Sequence, residues 1–588
     1  MPSQSLYLCK PTVQFSSGGQ SWEDASPELI KDLLQITIEE SLHLPAMFTL
    51  VVHNSNLPTN DDRPEYQFWR HEKLFEVGKK IKLGFISSTT QDKNFQKELK
   101  EELVEGEITA IEVHFNDRSE APIVVRGYDI SHRLHRGRYN RSFLNVTDSD
   151  IVRKIASEAG IKHGTIDSSG EPHEYVFQEN QTNMEFLRSR AARIGFELFI
   201  QGDRINFCKP QTQEESLKLT WLIDLSTFST RITSAEQVSA VEVRYWDYTK
   251  KKLRTAKAQK EKVITDTGNG AGSSTSSKFN NTQPPIMTIV DKPTFSDKQA
   301  EIMAQALCDE LGGEFVYADA KAEGNPKIRP GRVVTLEKMG DRFTGKYYIT
   351  EVRHNFTQRT YTTDFSVRGL RAGNLFTTLS PQVHLHPGQT FLVGIVTDNK
   401  DPKGLGRVKV QFPTLTEEHT SNWARVVAPG AGKNRGFDCL PEVRDEVLVG
   451  FEHGDIHRPY IIGGVWNGED ASPENVNDAI DQQGDVKKVR LRTFKTRTGH
   501  TLQFVEKDKS ASKTGIRVET VYGHKIYLND SDKTIEITTT GGHSIKMDDK
   551  NKSISIDSAG SMSLNAQTNM DITANATITI NGALIRLN

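Results

Sequence analysis

Cysteine is scarce in this 588-residue chain: there are four, at Cys9, Cys208, Cys308 and Cys439. So far apart, they form no Cys-x-x-Cys spacing, which excludes a zinc ribbon or redox pair and argues against a disulfide framework. Long apolar runs are missing as well. Stretches such as FLVGIV from Phe391 are strand-sized, and the opening MPSQSLYLCKPTVQF has neither a basic start nor an apolar core. No membrane span or signal peptide is read, and synthesis in the cytoplasm is expected. Excess charge of one sign is also absent, since 74 Lys plus Arg face 77 Asp plus Glu for a formal charge of -3. No global field draws in nucleic acid or an anionic membrane, so a partner has to be recognised by shape and local contacts.

What is present needs more than one core, because a chain of this length exceeds what a single domain supports. Residues 1–375 alternate strand-like segments (LLQITIEE, FTLVVHN, KKIKLGFI) with helices. SDIVRKIASEAG predicts a helix with Ser149 as N-cap, Ile151, Val152, Ile155 and Ala159 on one face, and Gly160 as the stop. NQTNMEFLRSRAARIG predicts a second, running through Gly195 into a hairpin, and a third opens at Ser296 with Gln299 completing a capping box and closes at Gly312 and Gly313. GRVVTLE, GKYYITEVRHNF and RTYTTDFSVRG read as strands, and the Gly/Ser/Thr-rich residues 265–285 as a flexible loop. Residues 385–468 hold five short strands punctuated by Gly and Pro, which fits a small closed barrel; in GRVKVQFP, Val408, Val410 and Phe412 share one face.

The last segment repeats. Apolar pairs spaced two apart fall at Ile535/Ile537, Ile545/Met547, Ile554/Ile556, Met562/Leu564, Met570/Ile572, Ile578/Ile580 and Ile585/Leu587, with steps that settle from ten to eight residues and end at seven. An octad holds one short strand and a turn, too little for one chain to close a coil with three faces. At roughly 1.5–3 kcal/mol per buried large apolar side chain, three chains wound into a triangular prism recover the burial that one chain forfeits. A homotrimer is expected, with Ile554, Ile556, Met562, Leu564, Met570, Ile572, Ile578 and Ile580 as the needle core. Residues 469–495 read as the linker before a needle at 496–588.

DPKGLGRVKVQFP, SNWARVVAPGAGKNRG and PEVRDEVLVGFEHGDIHRPYIIGGVWNG, followed by the octads, resemble the barrel and needle of the VgrG family, the central spikes of contractile injection systems. NMEFLRSRAARIGFELFI and the stretch from Arg329 to Phe356 are similar to the tail-hub half of that family. The resemblance implies a mainly β chain: an α+β hub of two barrel-like domains at 1–375, an OB-fold barrel at 385–468, and a C-terminal trimeric triangular β-helix or β-prism. It further implies docking on a hexameric, Hcp-like tail tube and on baseplate proteins, a PAAR-type tip protein on Leu584, Ile585, Leu587 and Asn588, effector cargo, and delivery on contraction, in a type VI secretion system or an extracellular phage-tail-like particle. Two hub units in each of three chains would offer six similar surfaces to a sixfold tube.

Other chemistry is read as weaker. The pairs Gly499-His500, Gly523-His524 and Gly542-His543 could build a histidine ladder for metal but fit turns better, and His384 and His386 in HLHPG lack Cys or acidic companions. GNGAG lacks the lysine and serine of a phosphate loop, and SHRLHRGRYNR reads as a solvated or contact face rather than a nucleic-acid site. A rival class, a β-helical tailspike that degrades polysaccharide, needs paired carboxylates and an aromatic platform; the regular tail offers Asp557 and Asp571, an octad or more apart. No catalytic residue, cofactor or metal site is assigned.

Overall fold

The computed structural model describes residues 6–17, 21–54, 70–90, 99–115, 121–211, 217–247, 249–279, 284–290, 292, 294, 296–369, 389–483 and 485–586. They divide into two compact units, Met1–Val465 and Trp466–Asn588. Among the described residues no helix is long and apolar enough to cross a membrane.

The hub of the first unit is organised by an eleven-stranded sheet in which every neighbour is antiparallel. Its spatial order is Leu225–Ile232, Val316–Glu323, Thr360–Val367, Glu351–Thr357, Leu33–Ser41, Met47–Val52, Ile123–Asp129, Leu99–Val113, Lys80–Thr90, Leu6–Ser16 and Trp22–Asp24. Alternation makes these strands: in Met47–Val52, Phe48, Leu50 and Val52 are buried while their neighbours are half-buried. Two cores form on this one sheet, one around Phe48, Ile81, Phe85 and Val125, the other around Leu336, Tyr347, Ile349 and Phe365. The two expected barrel-like units are therefore joined at the pairing of Leu33–Ser41 with Glu351–Thr357, where His354 lies opposite Ile38. Phe85 of the first core stacks on Tyr361 across that seam, 4.2 Å between centroids.

Arg329 bolts the seam. Its guanidinium holds Glu40 through Nε (3.1 Å) and Nη2, and donates to the carbonyls of Glu102 (3.1 Å) and Leu103 (2.6 Å). Both charged side chains are buried. Beside them His354 is fully buried, with Nδ1 bonded to the Tyr361 hydroxyl at 2.8 Å.

Caps set the helix bounds. Asp148–Glu158 starts at Thr147 rather than Ser149: the Thr147 hydroxyl accepts from Asp150 N–H and the Asp150 carboxylate accepts from Thr147 N–H. Ser149 lies inside the first turn, its hydroxyl donating to Asp167 O at 2.7 Å. Asn183–Ile194 has the same reciprocal cap from Thr182 and Glu185, and ends on left-handed Gly195, φ 68°. Asp297–Gly313 begins at Ser296, which accepts from Gln299 N–H.

Two expectations for the hub are corrected. GKYYITEVRHNF is two strands in different sheets, Gly345–Tyr348 beside Val333–Glu337 and Glu351–Thr357 in the large sheet, because Ile349 and Thr350 turn their backbone bonds to Arg332 and Ser366. The stretch 265–285 is not simply a loop. Asp266–Thr267 pairs with Gly345 and Lys346, and a helical turn at Gly272–Ser276 is anchored where Ser273 N–H meets the Glu261 carboxylate. A Cβ on Gly272 would lie 2.0 Å from Gln237 Oε1, so any larger residue there would have to displace the Gln237 amide from its bond to Leu311 O.

The five strands Leu392–Asp398, Arg407–Gln411, Ala424–Val426, Pro459–Gly464 and Glu446–Phe451 close into the expected barrel. Val408, Val410, Val447, Val449 and Ile461 fill it, while Arg407 and Lys409 lie outside over Trp423. Arg407 is pinned by two bonds to Asp401, 2.8 and 2.7 Å. Hub and barrel touch directly: Trp246 Nε1 donates to Glu446 Oε1 at 2.9 Å, and Lys251 Nζ to Arg444 O at 2.6 Å.

In the second unit the expected linker 469–495 is structured. A helical turn Val476–Ala479, the hairpin Ile480–Gln483/Val486–Val489 and the strand Leu491–Lys495 gather around buried Arg490, which donates to the carbonyls of Asp478 (2.8 Å) and Lys507 (2.9 Å). The sheet thus starts at Leu491, ahead of the expected 496.

Candidate functional site

Seven strands of five residues form an antiparallel meander: Leu491–Lys495, Thr501–Val505, Gly515–Glu519, Lys525–Asn529, Thr534–Thr538, Ser544–Asp548 and Ser553–Asp557. From the second strand on, positions two and four are apolar; one, three and five are mostly polar. With a side-chain period of two, that pattern sorts the faces. Register then stacks the apolar positions: Phe504 opposite Ile516, Leu502 opposite Val518, Ile516 opposite Leu528, Val518 opposite Ile526, Ile526 opposite Ile537, Leu528 opposite Ile535, Ile535 opposite Met547, Ile537 opposite Ile545. The polar face carries cross-strand ion pairs, Lys525–Glu519 at 3.3 Å and Lys546–Glu536 at 3.2 Å.

The apolar face is uncovered within the chain. Exposure is 37% at Ile545, 43% at Met547 and 69% at Ile554. A continuous apolar column of this length is far more than scattered surface leucines, and soluble proteins cover such faces.

Of the residues the repeat singled out, the structure brings Ile554 and Ile556 into this column, opposite Met547 and Ile545. Met562, Leu564, Met570, Ile572, Ile578, Ile580, Leu584 and Ile585 lie in residues 558–586, which are exposed and form neither strand nor helix within the single chain. Leu587 and Asn588 lie outside the described residues. The repeat missed Leu502, Phe504, Ile516, Val518, Ile526 and Leu528. Ile516/Val518 and Ile526/Leu528 were within its reach, at steps of ten and nine residues to the pairs that follow them; only Leu502/Phe504, fourteen residues before Ile516/Val518, is set off by the connection 506–514.

The Gly-His pairs are turns. Thr496, Thr520 and Thr539 each open a five-residue turn in which Thr N–H bonds the His carbonyl (2.9, 2.9 and 3.0 Å) and the Thr hydroxyl accepts from His N–H (3.1, 3.2 and 3.2 Å). The glycines sit at φ 104°, 86° and 85°, so Thr-x-x-Gly-His is a conformational repeat. Among the described residues no group of three or more His, Cys, Asp or Glu could hold a metal ion, and His384 and His386 lie outside those residues. In the basic cluster 131–141, four of the six basic side chains meet acids of the same chain: His132 and Arg133 hold Glu107, Arg138 reaches Glu185, and Arg141 reaches Glu158.

Residues 392–466 match the type VI secretion system/phage-baseplate injector OB domain, and residues 74–358 match the Alg8 N-terminal domain. The type VI secretion system spike protein VgrG1a of Pseudomonas aeruginosa is 40% identical over 83 residues, 13% of this chain and 13% of that protein. The spike protein VgrG3 of Vibrio cholerae is 23% identical over 357 residues, 56% of this chain and 31% of that protein. The chain thus spans less than a third of the length of either relative. Among solved structures, the Escherichia coli c3393 protein, a component of the type VI secretion system, is 17% identical with a TM-score of 0.38, covering 77% of this chain and 99% of that one.

Proposed function

Because this chain belongs to the VgrG family of spike proteins, we propose that it is the hub and spike of a contractile injection apparatus, of the type VI or extracellular phage-tail-like class. The observation that carries this reading is the uncovered apolar column from Leu502 to Ile556, extended in sequence by octads that form no structure in one chain. Three copies supply the missing layers: each apolar face packs against two others, and residues 558–586 gain strand partners from neighbouring chains, giving a β-prism whose core includes Met562, Leu564, Met570, Ile572, Ile578 and Ile580. Each five-residue strand keeps its polar face, with the Lys–Glu pairs, in water.

The hub, residues 1–375, docks the tail tube hexamer and baseplate proteins, and the direct bonds from Trp246 and Lys251 to the barrel tie that platform to the spike. Exposed Leu584 and Ile585, with Leu587 and Asn588, form the seat for a small conical tip protein of the PAAR type, which can bring effector cargo. The protein's own role is mechanical and non-enzymatic; it is made in the cytoplasm and delivered on contraction.

Co-purification tests the two ends separately. Tagged full-length protein is expected to retain both tube protein and tip protein. Removing residues 583–588, or Leu587→Lys, is expected to abolish tip retention while tube retention and oligomeric mass stay unchanged. Tip protein retained by both variants places its seat elsewhere. Glycan or peptidoglycan cleavage by the purified protein overturns the non-enzymatic assignment.

A further inference from the structure

A cavity of about 200 Å³ lies in the hub where helix Asn183–Ile194, helix Asp297–Gly313 and the turn at Leu42 and His43 converge. Its walls are largely apolar, with Leu42, Phe196, Leu198 and Ala306 among them. Four ionisable side chains also line it, His43, Arg188, Glu197 and Glu310, and the first three, from separate segments, each have a fully buried polar atom with no hydrogen-bond partner among the described residues: His43 Nε2, Arg188 Nε and Glu197 Oε1. Orphaned buried polar atoms are rare, because each forfeits its hydration without return. Three facing one cavity mark a place built for something polar.

Asp129 does not fill that role. Asp129 is the acidic group nearest in effect to Arg188, but its carboxylate already accepts from Ala46 N–H (2.7 Å), Ser131 N–H (2.8 Å) and the Ser131 hydroxyl. Glu197, itself buried, uses its other oxygen to accept from the Tyr348 hydroxyl at 2.6 Å. Gly195, at φ 68°, holds the helices close: a Cβ there would lie 3.2 Å from Ala306 Cβ.

The donor pattern selects the ligand. Arg188 Nε–H can only donate, so it requires an acceptor, and its charge favours an anion; Glu197 Oε1 and His43 Nε2 can donate or accept according to protonation and tautomer. Burial raises the Glu197 carboxyl to about 7 and lowers His43 to about 4, so near neutrality the acid can present a proton and the imidazole a lone pair. A molecule that satisfies all three is small, anionic and carries its own O–H. We propose that this cavity is a binding site for a small protonated oxyanion of the hydrogen phosphate class, whose occupation fastens the two helices to the Leu42–His43 turn.

The test uses full-length protein and inorganic phosphate, with chloride balancing ionic strength, read by calorimetric titration and by thermal unfolding. Expected are saturable binding at one site per chain and an unfolding midpoint that rises with phosphate. Arg188→Met is expected to weaken binding at least ~10-fold, the loss of one charge-assisted hydrogen bond. Glu197→Gln keeps the shape and fixes an N–H donor where the parent must carry a proton, so it is expected to bind phosphate near neutrality and to keep that binding above pH 7, where the parent's weakens; this pH profile decides the matter should Arg188→Met not fold. No saturable binding, binding unchanged in Arg188→Met, or the same pH profile in Glu197→Gln as in the parent overturns the proposal, and each result leaves water as the occupant.

Discussion

Ile537→Asp and Ile572→Asp are each expected to abolish the trimeric needle. Ile537 lies in mid-column, opposite Ile526 and Ile545. Three copies forfeit roughly 4.5–9 kcal/mol of apolar burial, and three like charges are brought together where water is excluded, a further cost with no partner to offset it. In the isolated chain the same position is 41% exposed, so the substitution should leave the monomer fold intact. Size-exclusion chromatography with light scattering reads the result. An unchanged trimer with Ile572→Asp means that the octad side chains face outward, and an unchanged trimer with Ile537→Asp means that the sheet's apolar face is not the interface.

Arg329→Met is expected to cost the hub about 3–5 kcal/mol, the typical penalty for leaving one half of a buried ion pair behind. Glu40 would be left without its cation at 8% exposure, and the carbonyls of Glu102 and Leu103 would lose their donor. Pairing it with Glu40→Leu is expected to recover much of the loss, because the stranded charge is then gone. Chemical denaturation followed by tryptophan fluorescence, comparing the first unfolding transition, measures both. A single variant as stable as the parent would show that the seam does not depend on this pair. The neighbouring His354 adds a pH signature. Burial, with Arg329 adding repulsion, lowers it from 6.5 to about 3. Between those values the unfolded chain binds a proton that the folded hub refuses, so this group lowers stability as pH falls below 6.5 and has no effect above it.

Local patterns were legible in the sequence where a single segment decides the outcome. Val408 and Val410 alternate with Arg407 and Lys409, and the barrel places them accordingly; Gly195 and Ser296 end and begin the helices as their chemistry requires. The cap of helix Asp148–Glu158 lies two residues ahead of the expected Ser149 because Thr147, Ser149 and Asp150 all suit capping, and only the reciprocal bond between Thr147 and Asp150 chooses. Hidden from the sequence was whatever depends on residues far apart. Arg329 meets Glu40 across 289 positions, and it is this contact, with the strand pairing beside it, that turns two expected units into one sheet. In the needle region the isoleucine pairs announced an apolar face from Ile535 onward. The same face begins at Leu502: Ile516/Val518 and Ile526/Leu528 continue the spacing backwards and were legible, while the fourteen-residue step from Leu502 to Ile516 breaks it, and only strand register aligns that first pair with the rest.

Light scattering on the purified full-length protein tests the central claim most directly. Three chains of 66.0 kDa predict a mass of about 198 kDa, independent of protein concentration across the micromolar range. A stable, folded species at 66.0 kDa would contradict the account, because it would leave the column from Leu502 to Ile556 permanently in water.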